Sequence, residues 1–360
     1  MKHLIIAISL ITIALLSCKD PANDQEDYDR APMLENIADN LIIPNYEQLQ
    51  SDINELKATI DLLNSNPTQL LLDSVRIDWL QTYKQWQHCK TFEVGPASDL
   101  ALRTSMNTYP TDTALIESNI TSGSYTLGSI GNIQAIGFPA FDYLLYERND
   151  ADILNRITNS ANFRQYLVDL AEKMQTDVDF VVMQWNNSFR NSFVASTGTA
   201  SGSSTNDLYN EMVYDLELIK NAKYGIPLGK DILDIARPTY VEAYYSGYSN
   251  DLAIENMEAI ENVFLGRGID GTNGPGFDDY LNHVEAKRGS EDLSDVITNQ
   301  FSLLYADMAV LPNPLSDGLQ NNYAQINDFY FEMKTQVLYM KTDMSSALGL
   351  IIEYFDNDGD

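Results

Sequence analysis

The sequence predicts an all-α protein made of two antiparallel helix bundles. Apolar residues recur at three- and four-residue steps over most of the 360-residue chain, the signature of helices with one buried stripe. Gly, Pro and Ser/Thr clusters break these stripes into long segments with short connections, the pattern of a bundle. No stretch shows the strict alternation of a half-buried strand.

The N-terminus addresses the compartment first. Lys2 precedes an apolar run from Leu4 to Leu16 that closes on Ser17 and Cys18, which reads as a signal peptide over residues 1–17. At about a dozen residues the run falls short of the roughly 20 that span a bilayer. Leu15-Leu16-Ser17-Cys18 resembles the bacterial lipobox, which implies cleavage before Cys18, lipidation of its thiol and a membrane anchor. Residues 18–31 are polar and acidic, without apolar periodicity, and are expected to form a flexible tether.

Residues 32–195 are expected to form the first bundle. Leu34, Ile37 and Leu41 start a stripe that continues through Leu49, Ile53, Leu56, Ile60 and Leu63, and Pro44 between them should kink or split the helix. Thr68 suits an N-cap for a helix running through Leu72, Val75, Trp79, Tyr83 and Trp86 to the Gly95-Pro96 stop. Phe163, Tyr166, Leu170, Met174, Val178, Val181, Trp185 and Phe189 mark a third long helix.

The Gly/Ser/Thr stretch 196–205 interrupts every pattern and is the expected domain linker. In the second bundle, residues 206–360, stripes run from Leu208 to Ile219, from Leu293 to Leu311 and from Tyr323 to Met344. The halves share one short echo. Gly137 stands five residues before Asp142-Tyr143-Leu144, and Gly274 stands five before Asp279-Tyr280-Leu281.

Charge narrows the partners. With 22 Lys and Arg against 52 Asp and Glu, the net charge is −30, and signal cleavage would remove Lys2 but no acid. Such a surface repels nucleic acid and attracts cations and basic ligands. The chain has two cysteines, so once Cys18 is lipidated Cys89 has no disulfide partner and the fold must be held by its core.

Several segments together resemble the imelysin-like family, catalogued as insulin-cleaving membrane peptidases and found among iron-regulated bacterial proteins. They are Met33 to Tyr46, Trp79 to Trp86, Phe92 to Pro96, the run Gly137-Phe138-Pro139-Ala140-Phe141-Asp142-Tyr143-Leu144-Leu145, Lys223 to Gly229, Pro238 to Ser249, and Phe355 to Asp360. The resemblance implies a cell-envelope protein, here an outer-membrane lipoprotein facing the periplasm or the surface, with its site where the bundles meet.

The family's Gly-x-His-x-x-Glu motif falls here on Gly137, Pro139 and Asp142. A His and a Glu three residues apart share one helical face, which suits a metal or proton transfer. Pro139 has neither an ionisable group nor a backbone N–H, so any mechanism that needs the family histidine cannot run at this position. Asp142 can bind a cation or interdomain ligand, or serve as a structural acceptor at a helix break.

Around it the resemblance groups Glu93, Gly137, Phe138, Pro139, Asp142, Tyr143, Arg237 and Glu242 as an interdomain ligand site, with Asp142 as the metal candidate and iron or another divalent cation as its guest. Tyr224-Gly225-Ile226-Pro227-Leu228-Gly229 reads as a turn whose glycines permit unusual backbone geometry. Arg237, Glu242 and Tyr245 are expected on a following helix. There Arg237 either pairs with Glu242 or faces Glu93 and Asp142 across a cleft.

Other candidates read as packing. Trp79, Trp86 and Trp185 fall on apolar stripes, as do most of the 21 tyrosines. His88 and His283 lie in different halves with no second ligand at helical spacing. Asp356-Asn357-Asp358-Gly359-Asp360 lacks the EF-hand spacing. Neither Gly-x-Ser-x-Gly nor His-Glu-x-x-His occurs, so nucleophilic and zinc-peptidase signatures are missing. The expected function is a lipid-anchored extracytoplasmic binding protein linked to iron acquisition, for a small molecule, metal or protein partner. A metal-dependent peptidase or an adaptor lipoprotein is the alternative.

Overall fold

A computed structural model describes residues 27–354; the expected signal peptide, Cys18 and residues 355–360 lie outside them. The described chain is predominantly helical, as the stripes predict. Its principal helices are α1 (Ile43–Ser65), α2 (Gln69–Cys89), α3 (Gly137–Tyr146), α4 (Ala161–Gln184), α5 (Ser204–Leu218), α6 (Ser249–Phe264), α7 (Leu293–Met308) and α8 (Tyr323–Val337). Among the described residues the only strands form one small antiparallel hairpin, with Lys287 paired to Asp292 and Arg288 to Glu291.

Thr68 caps α2 as expected, its Oγ1 accepting the Leu71 N–H at 3.3 Å, and the three residues between α1 and α2 turn the chain back on itself. Pro44 departs from expectation, because the helix neither stops nor divides there. The chain passes from Ala31–Ile37 through a π-helical segment, Ala38–Ile42, directly into α1, with Pro44 in its first turn. The wide turn before it accommodates both the ring and the missing N–H.

Packing follows the stripes. Helix α1 lies against α2 and α4, and α7 against α8, whereas α6 packs along α2 as well as against α5 and α7 of its own half. Trp79, Trp86 and Trp185 are fully or almost fully buried. The Tyr83 ring stacks on Phe138 with centroids 4.4 Å apart and planes 4° from parallel. Buried apolar side chains of both halves form one continuous core.

Three further expectations change. The tether does not stay free to its end: Tyr28 stacks on Tyr280 at 4.5 Å, and Arg30 donates to the Thr197 carbonyl at 2.6 Å. The connecting stretch is shorter than 196–205, since α5 begins at Ser204, whose N–H reaches back to the Ser196 carbonyl at 3.1 Å. Helix α6 was not anticipated. Residues 237–248, expected as helix, hold only a 3-10 turn, Pro238–Tyr240. Ala243 there takes φ +50° and is buried.

Candidate functional site

Gly137 opens α3 with φ +71°, and a Cβ there would stand 2.1 Å from the Met106 carbonyl oxygen. Only glycine fits both the conformation and the space. Pro139 sits in the first turn of α3, where an N–H would have no partner. One turn on, Asp142 is 2 % exposed. Its Oδ2 accepts the Tyr245 N–H and its Oδ1 the Ser246 N–H, each at 2.9 Å. Burial pushes its carboxyl up to about 6 against the pull of these donors.

Asp142 therefore ties α3 to the loop that carries the left-handed Ala243. Such a residue is strained by about 1–3 kcal/mol and persists only when its surroundings fix it. With one N–H donor on each oxygen of Asp142 and Pro139 in place of an imidazole, these groups do not offer the donor set of a metal centre. Among the described residues no group of three or more His, Cys, Asp or Glu side chains is placed to hold a metal.

Behind this loop runs a seam of buried charge that sequence reasoning missed. Lys223 pairs with Glu242, both nearly inaccessible, and donates to Gln87 Oε1 at 2.9 Å. Glu242 Oε1 also accepts from Gln87 at 3.1 Å and Asn107 at 2.7 Å, and the Tyr83 hydroxyl lies 3.1 Å away. Burial pulls the Lys223 ammonium down to about 8. Burial also opposes ionisation of Glu242, but Lys223 and then Lys90 hold its carboxyl below its ordinary value. The pair is thus ionised at neutral pH.

A second pair joins Lys90 to Asp215 at 2.9 Å. Asp215 Oδ2 accepts from Thr91 at 2.6 Å and from Asn256 at 2.7 Å. Arg103 extends the seam, donating to Glu211 at 2.7 Å and to the Lys90 carbonyl at 2.8 Å. Satisfied buried pairs of this kind contribute little net stability, but removing one partner is severe. They fix how Gln69–Cys89 and the residues after it meet Ser204–Leu218 and Ser249–Phe264.

Over the seam lies a cleft of about 390 Å³ whose lining includes Lys90, Arg103, Tyr109, Tyr214, Arg237 and Tyr240. Tyr109 and Tyr240 also line a neighbouring cavity of about 240 Å³ that holds Pro139 and Asp142. The predicted site residues are thus divided. Pro139 and Asp142 share the smaller cavity, and Arg237 lines the cleft.

Arg237 does not reach Glu242. It pairs with Asp231 and lies over the Tyr240 ring, 4.4 Å from its centroid. Glu242 sits in the buried seam. Glu93 lines a third cavity, takes the Arg103 N–H at 3.0 and 3.1 Å, and is pushed up to about 7 by burial. Phe138 is core, and the Tyr143 hydroxyl donates to Glu117 at 2.8 Å.

The remaining candidates are structural. His88 Nε2 lies 3.1 Å from Glu255 across the α2–α6 contact, and His283 tilts against Tyr28. Cys89 is buried, its S–H donates to the Asn45 carbonyl at 3.3 Å, and burial raises its thiol well above the ordinary value. The turn at 224–229 uses one of its two glycines in a left-handed conformation: Gly229 has φ +79°, and a Cβ there would meet the Ile235 backbone at 2.1 Å.

Helical halves joined by a buried polar seam, with a tyrosine- and cation-lined cleft at the join, define a two-bundle cleft protein. The chain belongs to the imelysin family: the family model Peptidase_M75, Imelysin, matches residues 42–328. Its fold resembles that of a Parabacteroides distasonis ATCC 8503 protein described as an iron-regulated protein A precursor. That match has a TM-score of 0.72 and 16 % identity, over 92 % of this chain and 97 % of the other. An imelysin-like protein from Psychrobacter arcticum 273-4 gives a TM-score of 0.72 and 16 % identity, over 91 % and 99 % of the two chains. No curated protein matches the sequence.

Proposed function

We propose that this is an extracytoplasmic, lipid-anchored binding protein linked to iron acquisition, which takes a small ligand in the cleft of about 390 Å³. The carrying observation is the cleft's composition: Tyr109, Tyr214 and Tyr240 line it with Lys90, Arg103 and Arg237, each cation held in place by a carboxylate, Asp215, Glu211 and Asp231 in turn. A concave site with a few fixed polar groups and aromatic walls is the ordinary form of a small-molecule pocket. The export signal and lipobox before Cys18 support the location, and the description of one structural relative as iron-regulated supports the physiological link. No helix among the described residues is long and apolar enough to cross a membrane. Asp142 serves as the clamp that shapes the cleft's edge. A peptidase needs a group to activate water or attack a carbonyl, and both oxygens of Asp142 are engaged.

Calorimetry and thermal melting of the mature protein with ferric and ferrous ions, haem and iron chelates test this reading. One of them should bind and raise the melting temperature, and Thr104→Trp, which fills the cleft from its rim, should abolish the effect. No response to any of them, or an undiminished response in Thr104→Trp, overturns it. Loss of radiolabelled palmitate from a Cys18→Ser variant in cells tests the anchor; equal labelling would refute it.

A further inference from the structure

The cleft of about 390 Å³ and the neighbouring cavity of about 240 Å³ are continuous, since Tyr109, Pro110 and Tyr240 line both and form the waist between them. Beyond the waist the smaller cavity adds Tyr244 and Tyr245, so four phenol rings follow one furrow. Arg237 lies over Tyr240, 4.4 Å from its centroid. The Tyr245 ring stands edge-on to Tyr244 at 5.1 Å and to Tyr143 at 5.3 Å. These contacts brace the rings before any ligand arrives, which lowers the entropy cost of binding.

The hydroxyls on these rings differ from those elsewhere in the protein. Other half-buried tyrosines tie theirs to a protein acceptor: Tyr125 donates to Asp169 at 2.7 Å, Tyr305 to Glu261 at 3.0 Å and Tyr323 to the Leu228 carbonyl at 3.0 Å. Among the described residues no protein group hydrogen-bonds to the Tyr109, Tyr240, Tyr244 or Tyr245 hydroxyl. Burial raises Tyr109 well above the ordinary phenol range, and burial, then Asp142, raises Tyr245. Both keep their protons and can donate.

Charge in the furrow is already matched. Lys90, Arg103 and Arg237 are each paired with a carboxylate. Asp142, the one charged residue lining the smaller cavity, has an N–H on each oxygen. A net charge of −30 repels anions, and Asp231, the acid that lines the cleft, is taken by Arg237, so a cation gains no partner either. Resting on the assignment of the cleft as a binding site, we propose that the furrow takes an uncharged ligand rich in hydroxyl, ether or carbonyl oxygens. Its oxygens meet the tyrosine hydroxyls and its C–H surface lies against the rings. A neutral ferric hydroxamate chelate and a neutral oligosaccharide both offer that chemistry.

The test is calorimetric titration of the full mature chain with ferrichrome, a neutral ferric trihydroxamate, with maltohexaose and with ferric citrate, each at low and at physiological salt. One of the two neutral ligands should bind, equally at both salts because no net charge is screened. In Tyr109→Phe/Tyr240→Phe that binding should fall at least about tenfold, with the melting temperature unchanged because neither hydroxyl has a protein partner. Tyr305→Phe is the converse control: it takes a donor from Glu261, and should melt lower but bind as the parent does. Binding of ferrichrome alone identifies the chelate as the occupant, and binding of maltohexaose alone upholds the furrow while removing its link to iron. Binding of ferric citrate without either neutral ligand leaves the cleft a ligand site but overturns this ligand class. No binding of any of the three, or equal binding in Tyr109→Phe/Tyr240→Phe, overturns it as well.

Discussion

The carboxylate of Asp142 ends on the backbone N–H of Ser246, 2.9 Å away and 104 residues further along the chain. Its second oxygen takes the neighbouring Tyr245 N–H, so one side chain from the first half fixes two consecutive peptides of the second. Asp142→Asn keeps the size but sets an amide N–H against one of these donors. Leaving a buried donor unsatisfied is expected to cost about 1–3 kcal/mol in urea unfolding; stability equal to the parent would refute the clamp.

Lys223 and Glu242 give a sharper contrast. Lys223→Met should destabilise by about 3–5 kcal/mol, because it strands a carboxylate in the interior. Lys223→Met combined with Glu242→Gln should lose clearly less than the sum of the single variants. A double-mutant cycle by chemical denaturation measures the coupling, and additive losses would show that the two charges act independently.

Gly137→Ala combines strain with collision. The left-handed φ and a Cβ about 2.1 Å from the Met106 carbonyl should lower the melting temperature by several degrees, from a cost of about 1–3 kcal/mol or more. Gly131 is the control: it is exposed, its φ is not left-handed, and no heavy atom lies within 4 Å of an added Cβ. Gly131→Ala should melt with the parent.

Acid residues whose carboxyls burial raises shape the pH profile. Glu93 is raised to about 7, whereas an unfolded glutamate titrates near about 4.3. The folded state therefore binds that proton more tightly. Its contribution is full below about pH 4.3 and is lost as pH rises through about 7. Asp142, raised to about 6, acts in the same direction. The melting temperature should fall between about pH 5 and about pH 8, and less steeply in Glu93→Gln; parallel curves would remove Glu93 as a cause.

The helices were legible because burial imposes a period, and Thr68 and the three tryptophans each took the role that their position implies. The polar seam was not read, although it left a trace. Asp215, Lys220 and Lys223 stand at three- and four-residue steps from Met212, Leu216 and Ile219, on the apolar side of one helix. A charge on a buried stripe requires a partner, but the partner of Lys223 is Glu242 and that of Asp215 is Lys90. Neither pairing follows from helical spacing. Arg237 and Glu242, near in sequence, were separated by the loop that Asp142 anchors. Helix α6 escaped because its stripe, Leu252, Met257, Ile260 and Phe264, is interleaved with polar groups that serve the seam, Asn256 among them.

The π-helical segments bear on how such a protein can change. Each advances the chain by roughly one residue more than an α-turn, so side chains beyond it point about 100° away from where an unbroken helix would aim them. A bundle ordinarily rejects single-residue insertions because they turn its greasy face outward. Here the extra residue is taken up in four wide turns, Ala38–Ile42, Trp185–Phe189, Ile219–Gly225 and Leu338–Met344. Two of these border a concavity of about 670 Å³ in the C-terminal half, so gaining or losing one residue there would re-aim the side chains that face it.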